Sequence, residues 1–313
     1  MEIQSKYEIH SIMTIPFTFR QLGYFVAVAQ HGSISRAAEA LHVSQPSVSV
    51  AINQLEGLLG QSLFQRHRGQ GVSLSPRGEA LFREARHILT LSHNLLDSQH
   101  RHGTEVEGQL LLGCFRDIAP YYLPRLVSEF ERRYPRIRVI MQEQDLAGVC
   151  QGLEQGKTEL VLSYGLGLPP ECSTHVLDEL RPYALLPAHH ALAEKPRLSL
   201  AELAEETLIL QDLPLTREYF LSLFWQRDLQ PARIHHTLSF EMQRGLVAHG
   251  HGVALSCTRP AGDHSYDGAP IACVPLNDEV PPQRVVLARS PAFPLSVPAR
   301  LFVEQVTGRP VTA

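Results

Sequence analysis

The chain has 313 residues, 44% hydrophobic and 19% charged. That is enough for two or three domains with real cores, and it excludes wholesale disorder, collagen and a fibrous coiled coil. The net charge of −4 is uneven: residues 1–102 hold nine Lys/Arg against seven Asp/Glu, so the remainder is acidic, and a mildly basic head suggests contact with an anion.

Residues 1–16 lack a period and read as a disordered extension. From Phe19 the apolar residues Leu22, Phe25, Val26 and Ala29 recur at helical steps. His31-Gly32 stops that helix. Ser33 then stands where an N-cap belongs, before the helix formers Arg36 to Leu41. After His42-Val43, Ser44 is a second cap and Pro46 falls in the first turn of a third helix. The stripe of that helix is Val48, Ile52, Leu55 and Leu59, and Gly60 ends it. Two short helices across a tight turn read as a helix-turn-helix. Residues 63–74 then read as strand, Gly-bearing turn and strand, which makes a wing. Together these give a domain over residues 17–75.

Pro76 to about His102 is one long helical pattern. Leu81, Ala85, Ile88 and Leu95 form an apolar seam, and Phe82, Leu89 and Leu96 form a second row. A helix of that length needs a partner, so residues 76–102 read as a dimerising linker.

After Gly103 strand-length apolar runs alternate with helical patterns. The expected strands are 110–114, 138–141, 160–163, 183–186, 208–210, 253–256 and 285–288. The expected helices are 118–134, 146–155, 216–227, 241–249 and 296–306. This alternation predicts α/β units.

The run from Phe19 to Arg86, FRQLGYFVAVAQHGSISRAAEALHVSQPSVSVAINQLEGLLGQSLFQRHRGQGVSLSPRGEAL and onward, resembles the LysR-type transcriptional regulators. The helix-turn-helix, the LF-x-R step into the wing and the Pro-Arg-Gly start of the linker sit in order. GQLLLG, YLPRLVSEFERRYP and RGLVAHGHGVAL continue the resemblance to the C-terminus. It implies an α+β two-part chain: a winged helix-turn-helix, a linker helix, and an effector module (103–313) built like a periplasmic solute-binding protein. It also implies dimers, often paired into tetramers, on double-stranded operator DNA, with a small organic effector and RNA polymerase as further partners. Subdomain I is expected at about 107–166 plus 280–308, and subdomain II at about 167–275.

For DNA, the candidates are Ser44, Gln45, Pro46, Ser47, Ser49 and Asn53 on the third helix, with Ser33, Arg36, Arg66 and Arg68 around it. Glutamine suits adenine, short serines allow close approach, and arginines hold phosphates. Where the family carries a polar or basic group, this chain has Val50 and Asn53, both neutral. For the effector, strand ends and helix starts nominate Phe115, Arg116, Asp117, Ser163, Tyr164, Asp212, Thr216, Phe240 and Glu241. Asp117 is also a candidate helix cap. Three acids against one base suit a nitrogen cation or a zwitterion, with Arg116 on its carboxylate.

The five cysteines, Cys114, Cys150, Cys172, Cys257 and Cys273, include no CxxC, which argues against a zinc or disulfide framework. They read as structural thiols rather than redox sensors. The clusters His189-His190, His235-His236 and His249-Gly250-His251 read as variation rather than metal ligands. No catalytic motif is present, and Ser265, His264 and Asp267 crowd one turn, so neither enzyme activity nor a cofactor is expected. No apolar run reaches the roughly 18 residues of a membrane span. The start lacks a secretory core, and the cytoplasm is the expected compartment. The alternative, a soluble solute-binding protein without DNA function, leaves the helix-turn-helix without a use.

Overall fold

The computed structural model describes residues 16–67, 71–97 and 106–309. The expected extension over residues 1–16 lies outside these but for Pro16, as do Arg68 and the end of the linker from Ser98. The chain divides into two compact units, one formed essentially by residues 1–102 and one by the bulk of 103–313.

In the first unit α1 (Phe19–His31) opens with a capping box, Thr18 and Gln21 satisfying each other's backbone. It closes on Gly32, at φ 61°, a left-handed conformation that glycine adopts without a Cβ clash. Ser33 caps α2 (Ile34–Ala40) and Ser44 caps α3 (Gln45–Leu59), with Pro46 in the first turn and Gly60 left-handed at the end. The wing is an antiparallel pair, β1 (Phe64–His67) on β2 (Gly71–Leu74), registered Phe64 to Leu74. It is fastened to the α1–α2 turn by the Val72 N–H on the Gly32 carbonyl, 2.9 Å.

The helix α4 (Pro76–Asp97) departs from the expected seam. Phe82 and Ala85 are buried, and Leu81 and Leu89 pack against the same core as Leu22, Phe25, Val28, Val48, Ile52 and Leu55. The head itself therefore covers half of the proposed seam. Ile88, Leu91 and Leu95 stay exposed, at 38%, 50% and 69%.

Among the described residues the second unit holds three sheets. The first runs β4–β3–β5–β12–β6: β3 (Gly108–Phe115), β4 (Ile137–Gln144) and β5 (Leu160–Tyr164) are parallel, while β12 (Gln283–Arg289) is antiparallel to β5 and to β6 (Ser173–Leu180). Helices α5 (Ala119–Arg133) and α10 (Val297–Thr307) meet through Phe130 and Phe302, ring centres 5.1 Å apart. Helix α6 (Leu146–Glu154) buries Leu146, Val149 and Leu153. Because β6 completes this sheet, the chain leaves subdomain I after Leu180, not at residue 167 as expected.

The second sheet pairs β7 (Tyr183–Pro187) with β10 (Ala254–Ser256) and β11 (Ile271–Pro275), both antiparallel. A bridge from Leu208 to Val253 joins these to the parallel pair β8 (Thr207–Gln211) and β9 (Arg233–Thr237). Helices α7 (Leu200–Ala204), α8 (Thr216–Trp225) and α9 (Phe240–Ala248) complete the subdomain. Its core gathers Tyr183, Leu185, Ile209, Val247, Ala254 and Ile271. The strands β6, β9 and β11 have no counterpart among those expected from the sequence.

Candidate functional site

In the head, Ser44 Oγ accepts from the Ser47 N–H at 3.3 Å and lies 2.7 Å from Ser47 Oγ. Both serines thus hold the start of α3 to one geometry. Gln45, Pro46, Ser47 and Asn53 are exposed and Ser49 is half-buried. Ser35 Oγ donates to Gln45 Oε1 at 3.3 Å, which restrains that side chain. Ser33 is spent on its cap, accepting from the Arg36 N–H at 3.4 Å. Arg36 on α2 and Arg66 on β1 are exposed.

A residue that sequence reasoning missed is Glu56. Its Oε1 accepts the N–H groups of Leu63 and Phe64, at 2.6 and 3.3 Å, and so fixes the start of the wing to α3. The arrangement is a polar helix face flanked by a cation-bearing wing, suited to a phosphate backbone and a groove.

In the second unit, Asp117 follows β3 and Gln211 ends β8. Gln211 Nε2 donates to Asp117 Oδ2 at 2.9 Å, a hydrogen bond from one subdomain to the other. Asp117 therefore does not cap α5, whose first turn has no side-chain cap. Burial raises its carboxyl above the ordinary range. Gln211 and Arg116 pull it down, and Glu241 pushes it up. Glu241, in the first turn of α9, is likewise raised by burial, with Arg244 opposing. Arg244 is 1% exposed. Its Nε lies 3.7 Å from Glu241 Oε2, and its guanidinium centre lies 5.8 Å from the centre of the Phe240 ring. Tyr121 of α5, half-exposed at 38%, is pushed to about 12, first by burial and then by Glu241. Sequence reasoning passed over Tyr121 and Arg244, since neither stands at a strand end.

Other candidates stand elsewhere. Asp212 is ion-paired with Arg217 at 2.5 Å and His236 at 3.4 Å, so it is not a spare acid. Phe115 and Tyr164 are buried ring against ring, 5.4 Å between centres, and Tyr164 Oη meets Thr258 Oγ1 at 2.6 Å, so they serve as core. Ser163 and Thr216 are buried with hydroxyls that lack a partner. A separate concavity of about 510 Å³, bordered by Leu166, Val176, Tyr219, Leu223, Pro281 and Arg284, contains none of the expected residues.

Burial raises all five thiols: Cys150 to about 11, Cys257 and Cys273 to about 12, with Cys114 and Cys172 also raised. Burial thus disfavours the thiolate at each of them. Among the described residues no group of three or more His, Cys, Asp or Glu could hold a metal ion. The histidine clusters turn to separate carboxylates: His190 to Glu206, His236 to Asp212 and His249 to Asp267. No described helix is long and apolar enough to cross a membrane.

Residues 19–79 match the family described as bacterial regulatory helix-turn-helix protein, lysR family, and residues 103–310 match the LysR substrate binding domain. The chain belongs to the LysR family. This LysR regulator is 34% identical to HinK, a LysR family transcriptional regulator from Pseudomonas aeruginosa. The match to that crystal structure covers 94% of this chain and 98% of HinK, with a TM-score of 0.61. Full-length OxyR of the same organism, in a variant form, matches at 25% identity and a TM-score of 0.76 over 93% and 97% of the two chains. The hydrogen peroxide-inducible genes activator of Pectobacterium carotovorum subsp. carotovorum is 28% identical over 88% of this chain and 91% of that protein. The LysR regulator described here is thus a sequence-specific DNA-binding transcription regulator with a small-molecule effector domain. Its relatives in these comparisons are regulators rather than enzymes.

Proposed function

We propose that the effector is a small zwitterion or amine whose nitrogen cation sits at Asp117 and Glu241, with Arg116 on its carboxylate. The observation that carries this reading is the Asp117 carboxyl, half-buried, raised by desolvation, and bonded by the neutral amide of Gln211. A partly desolvated acid without a cation bonded to it gains from one. Asp212 drops out of the acid count, and the Arg244 guanidinium beside Glu241 adds to the base count. Two acids then face two bases, a balance that suits a zwitterion better than a bare amine. Tyr121 supplies aromatic surface for the cation, while the buried Phe240 ring is taken by Arg244.

In this reading the protein acts in the cytoplasm as a dimer or tetramer on operator DNA. Gln45, Ser47, Ser49 and Asn53 face bases, Arg36 and Arg66 hold phosphates, and RNA polymerase is a further partner. Exposed Ile88, Leu91 and Leu95 of α4 support the dimer.

A thermal-shift screen of the full-length protein against amines, amino acids and dicarboxylates tests the ligand class. A ligand at about 100 times its Kd adds about 2.7 kcal/mol to the folded state, a readable rise in melting temperature. We expect stabilisation by zwitterions, lost in Asp117→Ser. Stabilisation by dicarboxylates alone, equal in both proteins, contradicts the reading.

A further inference from the structure

Helix α3 of this DNA-binding protein carries no Lys or Arg, an unusual endowment for a groove helix. Its one acid, Glu56, is committed to the backbone of Leu63 and Phe64. At about 100° per residue, Val48, Ala51, Ile52 and Leu55 form the buried stripe. The row directly opposite is Pro46, Val50, Asn53 and Gly57, all exposed. Val50, 53% exposed, sits at the middle of that row. On the flank, Gln54 is held by Gln21 Nε2 at 3.0 Å and Gln45 by Ser35.

An exposed valine alone is ordinary. This one lies at the crest of the helix, between a proline and an asparagine, with no cation on the helix that could reach a phosphate or a guanine. In the major groove the one apolar group that a base presents is the thymine 5-methyl, and the partner of an asparagine amide is adenine N6 and N7. We infer that Val50 is a specificity-determining residue that packs on a thymine methyl in each operator half-site, beside an adenine read by Asn53. The helix therefore reads A·T pairs at its crest and leaves phosphate affinity to arginines elsewhere in the head. The inference rests on α3 being the helix in the groove.

The test uses a duplex selected by the full-length protein from a random-sequence pool. Each thymine is replaced singly by deoxyuridine, which removes only the methyl. We expect one position per half-site where wild type loses about three- to fivefold in affinity, the worth of one buried methyl. Val50→Ala, a change on an exposed helix face that favours helix, binds the thymine and uracil duplexes equally at that position. Wild type indifferent to uracil at every position overturns the inference, as does a uracil penalty that survives Val50→Ala. Gln45→Ala, measured on the same duplex, separates the two levels. Weakened binding there leaves α3 in the groove with Val50 unused, and unchanged binding removes α3 from the groove as well.

Discussion

Asp117 shows how a single residue changes role between sequence and structure. In the sequence it stands between a strand and a helix, where an acid ordinarily caps. In the fold it receives the Gln211 amide instead. A carboxyl raised by burial costs stability once it ionises. The cost is absent at low pH, appears as pH passes the ordinary carboxylate range, and is complete above the raised value. We expect Asp117→Asn to be more stable than wild type at about pH 7, with the difference closing towards about pH 4. Thermal unfolding of both proteins across that range checks it, and a difference independent of pH counts against a desolvated acid. Cap residues were legible because their chemistry is local: Ser33 and Ser44 each accept from an N–H three residues on. The ion pairs of Asp212 were not legible. Arg217 is five residues away, but His236 arrives only through the pairing of β9 with β8.

At the scale of elements, the linker helix carries two apolar faces, and periodicity alone does not say which neighbour covers each. Leu81, Phe82, Ala85 and Leu89 go to the head core, while Ile88, Leu91 and Leu95 remain outside. The two sets respond differently to charge. A buried Ala85→Asp places an unpaired acid in the core and unfolds the head, a cost of several kcal/mol. An exposed Ile88→Asp leaves the melting of the head nearly unchanged, while sedimentation shows a weakened dimer and DNA affinity falls with it. An Ile88→Asp protein as dimeric as wild type overturns the reading of that stripe. Two of the three missed strands, β6 and β9, share one cause; β11, IACVP, is an apolar run that the sequence reading passed over. Strand β6, STHVLDEL, is an edge strand with no buried residue and no more than two apolar residues in a row, and β9, RIHHT, is exposed over most of its length. Neither shows the continuous apolar run that marked β5 and β7, whose residues are all buried.

At the scale of the whole molecule, the proposed reading gives the uneven charge of the sequence a use. Helix α3 has no cations, so in that reading affinity and specificity belong to different residues: Arg36 and Arg66 would supply the salt-dependent term, and Gln45, Val50 and Asn53 the sequence-dependent one. The two units were separable in the sequence because helical patterning runs to about residue 102 and strand patterning starts at 110. The subdomain boundary was not, because the chain crosses only after an edge strand that carries little apolar signal. The division of labour in the head is tested most directly by equilibrium binding of wild type, Gln45→Ala and Arg66→Ala to a selected duplex and a scrambled one, over a range of salt. We expect Gln45→Ala to lose about 1–3 kcal/mol on the selected duplex and nothing on the scrambled one. We expect Arg66→Ala to lose on both, with the salt slope reduced by about one. Equal losses on both duplexes for Gln45→Ala, or none on either, would contradict the account.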